Sequence, residues 1–141
     1  MTTPKKIRVL VVDDSALARK VISDILRRDP EIEVVGTAND PYMAREKILE
    51  LNPDVLTLDV EMPRMDGISF LKILQKHRPI PAIIISSITQ AGSEAALGAL
   101  GAGAVDVLAK PSGTRSMEEL EAQLAYRIHE EDVPPLRSID P

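Results

Sequence analysis

Apolar residues in this chain come in five short blocks: Ile7–Val12, Ile32–Gly36, Val55–Leu58, Ala82–Ile85 and Val105–Leu108. Each has the length of a β-strand and is rich in β-branched or aliphatic side chains. Apart from the second, the blocks are nearly continuous rather than alternating. Continuous apolar runs belong to strands covered on both faces, as in a parallel sheet. Between the blocks the pattern turns helical. Ser15–Arg28 carries Leu17, Val21 and Ile25 at helical spacing, with basic residues outward and Ser15 as N-cap. Pro41–Leu51 follows Asp40, a capping residue, and places proline in the first turn. Gly67–His77 lines up Ile68, Leu71 and Leu74 on one face. Gly92–Gly101 is small and alanine-rich, and Ser116–Glu130 opens on a capping box of Ser116 and Glu119.

Strand and helix thus alternate five times. That order predicts an α/β fold: a doubly wound, five-stranded parallel sheet of flavodoxin-like type, strand order 2-1-3-4-5, with helices on both faces. Residues 1–5 are expected to be a disordered N-terminus, 6–130 the domain, and 131–141 a linker or tail. Pro134, Pro135 and Pro141 break any helix in that last stretch.

Composition narrows the chemistry. With 141 residues, 44% hydrophobic and 28% charged, the chain suits one domain with a real core. No apolar run approaches the ~20 residues of a membrane helix, and "MTTPKK" is followed by no signal-length apolar stretch, so the expected location is cytoplasmic, without membrane insertion. There is no cysteine, which excludes disulfides, thiol catalysis and thiolate metal ligands. His77 and His129 stand far apart and are expected to be ordinary residues near helix ends. Arg27, Arg28, Glu46 and Lys47 are expected on solvated faces. Any metal would then be held by oxygen, which suits Mg²⁺. A net charge of −5 and 2% aromatic residues argue against nucleic-acid binding.

Ligands of open α/β sheets bind beyond the carboxyl ends of the strands. Those ends carry Asp13 and Asp14, then Asp59, then Ser86 and Ser87, then Lys110 followed by Pro111. Each alone has a bland meaning: a solvated turn, a cap, a loop. In the predicted order the first, third, fourth and fifth strands are neighbours, so three carboxylates, a hydroxyl and an ammonium converge. Clustered carboxylates repel one another and attract a hard cation, which could bridge Asp14, Asp59 and a nearby backbone oxygen. An aspartate can act as a nucleophile toward a phosphoryl group, with Lys110 and Ser86 contacting its oxygens.

The segments "VVDDS", "LDVEMPRMDG", "IIISS" and "GAVDVLAKP" closely resemble the receiver domain of two-component response regulators, over roughly residues 6–125. The resemblance implies that Asp59 is the phospho-acceptor, that Asp13, Asp14 and Asp59 with the backbone carbonyl of Glu61 hold Mg²⁺, and that Ser86 and Lys110 are the switch hydroxyl and the phosphoryl-contacting lysine. It also implies a cis bond before Pro111. Val107 departs from the pattern: the family commonly carries an aromatic ring three residues before the lysine, and valine has no ring to swing. Longer stretches, "VDDSALARKVISDIL" among them, look most like the receiver half of the chemotaxis methylesterase. That implies a chemotaxis-type histidine kinase as donor and a methylesterase effector domain contacting the face made by the fourth helix, fifth strand and fifth helix. The chain itself is then regulatory rather than an enzyme, and a fragment of a longer protein.

Two other readings compete. One is a free-standing receiver acting through protein partners. The other is a phosphatase of the haloacid-dehalogenase type, but that class has an aspartate two places after its nucleophile, where this chain has Glu61, and lacks the Asp-Asp pair. A last expectation concerns the fourth helix. Gly98 and Gly101 should either make it the least stable of the five and the part that shifts on activation, or simply permit close packing there.

Overall fold

The computed structural model describes residues 5–60, 65–86, 94–110 and 117–131. Five strands alternate with five helices: β1 (Ile7–Val12), α1 (Ala16–Arg27), β2 (Ile32–Ala38), α2 (Pro41–Leu51), β3 (Val55–Leu58), α3 (Gly67–His77), β4 (Ala82–Ser86), α4 (Glu94–Gly101), β5 (Asp106–Ala109) and α5 (Met117–Glu131). All strand pairs are parallel, in the order β2-β1-β3-β4-β5. This is the predicted arrangement.

The sheet separates two apolar layers by the period-two alternation of its side chains. Leu10, Val12, Leu56, Leu58 and Ile84 face α2, α3 and α4 and pack with Ile48, Leu71 and Ala99. Val9, Val11, Val55, Ile83 and Ile85 face α1 and α5 and pack with Ile25, Leu26, Leu124 and Ile128. Each such buried aliphatic side chain contributes about 1.5–3 kcal/mol. β3 and β4 are buried along their whole length, whereas the edge strand β2 is only partly covered. The sequence pattern follows from that difference in cover.

Ser15 and Asp40 cap their helices as the sequence predicts, and Asp66 adds a cap that was not expected. The Ser15 side chain accepts from the Ala18 N–H, Asp40 from Met43 and Asp66 from Ser69. Asn52 closes α2 in the left-handed conformation, φ 50°, which asparagine tolerates better than most residues. Other details differ from expectation. β2 runs two residues further, to Ala38, because β1 continues to pair with it there. β5 is shifted by one residue, since Ile83 pairs with Asp106 and Ser86 with Ala109. In α1, Leu17 does not join the core; it is 72% exposed. The buried stripe is Ile22, Ile25 and Leu26, spaced three and four apart, and Leu17 falls off that face. The predicted start of α4 at Gly92, the Ser116 cap of α5 and the prolines of 131–141 lie outside the described residues. No helix among the described residues is long and apolar enough to cross a membrane.

Candidate functional site

The parallel ladder aligns the carboxyl ends of β1 and β3 side by side. The Asp59 N–H donates to the Val12 carbonyl at 3.0 Å, and the Asp13 N–H to Ala38 at 3.0 Å, so both aspartates leave the sheet at one level. Their side chains turn inward: Asp13 is 1% and Asp59 4% exposed, while Asp14 beside them is exposed. One carboxylate oxygen from each of the three lies within 4.8 Å of the others. β5 brings in the counter-charge. The Lys110 N–H donates to the Ser86 carbonyl at 3.1 Å, which places the lysine next to the end of β4. Its ammonium reaches 2.8 Å from Asp13 Oδ2 and 3.6 Å from Asp59 Oδ2. Partial burial works against the charged ammonium. The hydrogen bond and charge of Asp13, with Asp59 and Asp14 behind it, outweigh that and hold the Lys110 pKa above the ordinary lysine value.

Among the described residues one ammonium faces three carboxylates, so the group keeps surplus negative charge. Asp13 Oδ2 is sealed from solvent and is met by the Lys110 ammonium at 2.8 Å. Clustered carboxylates, two of them buried, in an all-oxygen donor set fit a hard divalent cation such as Mg²⁺. Gly67 fixes the other side of the site. Its N–H donates to the Val60 carbonyl at 2.7 Å, and a Cβ there would stand 2.3 Å from the Asp59 carbonyl oxygen. Only glycine lets α3 start so close to the Asp59 segment.

Residues 9–123 match the family described as the response regulator receiver domain. This chain belongs to that family. Over 123 residues it is 54% identical to a protein-glutamate methylesterase/protein-glutamine glutaminase of Syntrophus aciditrophicus, a match covering 87% of this chain but 36% of that protein. The chain thus spans about a third of the length of the curated relatives it matches. Among solved structures, the response regulator domain of Thermotoga maritima CheB superposes with a TM-score of 0.83 at 42% identity, covering 97% of this chain and all of that one. A structure of the P1 domain of CheA3 in complex with CheY6 from R. sphaeroides matches at TM-score 0.74 and 33% identity, over 89% of this chain and 99% of that one.

The receiver brings four of the expected residues together: Asp13, Asp14, Asp59 and Lys110. Ser86 is fully buried at the end of β4 and its carbonyl is tied to Lys110. Val107 pairs with Ile84 across β4–β5 and packs, partly buried, on the α2–α3–α4 layer. The Glu61 carbonyl, Ser87 and the bond before Pro111 lie outside the described residues.

Arg19 was missed as a site residue. It was expected to point outward with the other basic residues of α1, yet its guanidinium donates to the Asp13 carbonyl at 2.8 Å. One turn into α1, it reaches back over the helix start, a direction helical side chains favour. Arg28 and His129 also have partners. Arg28 pairs with Glu121 at 2.8 Å, and His129 meets Asp29 at 2.7 Å, both linking the α1 end to α5.

Proposed function

We propose that this receiver accepts a phosphoryl group on Asp59 and passes the change of state to an effector. The observation that carries the reading is the placement of Asp59: nearly buried, among two further carboxylates, with the Lys110 ammonium 3.6 Å from Oδ2. An Asp59 oxygen attacks the phosphorus of a phosphohistidine or a small acyl phosphate. The P–N or P–O bond to the donor breaks, and its electron pair leaves with the donor. Asp13, Asp14 and Asp59, with the Glu61 carbonyl that the family resemblance adds, would hold Mg²⁺. That ion, when bound, neutralises charge on the transferring group. Lys110 supplies a fixed positive charge, and its pairing with Asp13 keeps it aimed into the cluster. Ser86 stands as the hydroxyl that meets the new phosphoryl group.

The donor is a histidine kinase of the chemotaxis type, and the effector a methylesterase domain. The methylesterase relatives support this subtype: they are about two and a half times as long as this chain and align with it over their receiver-like part. The effector would contact the face formed by α4, β5 and α5, with Val107 replacing the usual ring in the relay. The chain on its own is regulatory.

The test is labelling with a small acyl phosphate in the presence of magnesium. One phosphoryl group per chain, mapped to Asp59, is expected. Asp59→Asn should take none while still unfolding cooperatively, as a folded domain does. Label persisting in that variant would overturn the assignment. Sustained release of phosphate over many cycles would favour a phosphatase instead.

A further inference from the structure

The helices α2 and α3 stand apart on one face of the sheet and leave a groove of about 600 Å³ between them. Its floor is the outer edge of the core: Ile48, Phe70 and Leu74. Its walls carry Tyr42, Leu49 and Ile73, which are 50%, 60% and 46% exposed. Three of the large exposed apolar side chains of the described residues thus gather at one place, and clustered exposure of this kind marks an interaction surface.

Charge says what kind of partner fits. Besides the Tyr42 hydroxyl, the groove's polar lining is two guanidinium groups and an imidazole, from Arg45, Arg78 and His77, with no carboxylate among the described lining residues. Arg78 is held in place by the Asn52 side chain, a neutral partner that leaves its charge unspent. The whole chain carries a net charge of −5, so a cationic apolar groove runs against its overall field. Shape sets the element. Both helices have eleven residues, about 16 Å of axis, and three anchors at i, i+4 and i+7 of a third helix span about 10 Å.

We propose that the α2–α3 groove docks an amphipathic helix of another protein, its apolar face on Leu49 and Ile73 and its acidic flank on Arg45 and Arg78. This surface is separate from the α4–β5–α5 face: none of its lining residues belongs to those elements.

The probe is a synthetic fourteen-residue helix with leucine at i, i+4 and i+7 flanked by glutamates, and a twin with lysine for every glutamate. Each is titrated into the ¹⁵N-labelled chain while backbone amides are followed. The acidic peptide should shift amides of residues 41–51 and 67–77, and bind roughly tenfold more weakly to Arg45→Glu, a rim-charge change, with added salt acting the same way. Leu49→Ser should also weaken it. Both altered side chains are exposed, and the amide spectrum of each variant verifies its fold. No shift up to about 1 mM peptide, the weak limit of specific recognition, would overturn the proposal. So would equal binding of the lysine twin, shifts confined to other faces, or groove amides that move with protein concentration alone, which would make a second copy the occupant.

Discussion

Replacing Gly67 by alanine sets two physical effects against each other. Gly67 is the first residue of α3, after the Asp66 cap. Helix propensity alone favours alanine over glycine by up to about 1 kcal/mol. The local packing says the opposite. The new Cβ would lie 2.3 Å from the Asp59 carbonyl oxygen and 2.8 Å from Val60 Cα, whereas ordinary contact begins at 3.4 Å. The atoms it meets are backbone, which cannot rotate away, so the Asp59 segment or the start of α3 must move by about 1.1 Å. Overpacking of that size costs about 1–3 kcal/mol, more than the propensity gain. A net loss of about 1 kcal/mol lowers Tm by roughly 3–5 °C for a domain of this size. A displacement of ~1 Å at a reacting carboxylate also slows transfer by about 10²-fold. Thermal unfolding and the rate of acyl-phosphate labelling of Gly67→Ala read both numbers. A variant more stable than the parent, or one labelled at the parental rate, would refute the reasoning.

In α4, Gly98 has room for a side chain, with a Cβ placed 3.4 Å from Ile68 Cδ1. Gly98→Ala should therefore stabilise the helix by about 1 kcal/mol and slow amide exchange across residues 94–101; parental exchange there already as slow as in α1 would contradict the idea. Partial burial pushes the Asp29 carboxyl up, but its hydrogen bonds from His129 and the Glu31 N–H outweigh this and hold its pKa below the ordinary value. A depressed folded pKa stabilises above the unfolded value of about 3.9, and that contribution is lost as pH falls through the folded one. Asp29→Asn should thus be less stable than the parent near pH 5, and the difference should shrink below about pH 4 in urea unfolding; a constant difference would contradict the sign.

The strand order was legible because continuous apolar blocks, caps and strict alternation all agree on one topology. Asp40 with Pro41 located the start of α2 to the residue. The convergence of Asp13, Asp14, Asp59 and Lys110 followed from topology alone, since neighbouring parallel strands end on the same side. Leu17 misled because a period of 3.6 drawn from three apolar residues admits two stripes, and only packing on the sheet chooses between them. Arg19 was hidden because its partner is a backbone carbonyl, which leaves no trace in side-chain chemistry. The Arg28–Glu121 and Asp29–His129 pairs join residues 93 and 100 positions apart, and charge patterning along one helix cannot reveal such pairs. The α2–α3 groove was equally silent, because it depends on the spacing of two helices rather than on either one.

Isothermal calorimetry with magnesium chloride bears most directly on the clustering of acids at the sheet edge. The parent chain should take up one ion at a single site. Asp13→Asn, which removes a buried carboxylate from the cluster, should weaken that uptake by at least about tenfold, a loss of about 1.4 kcal/mol. No heat of binding in the parent, or equal uptake by the variant, would contradict a divalent-cation site built on Asp13, Asp14 and Asp59.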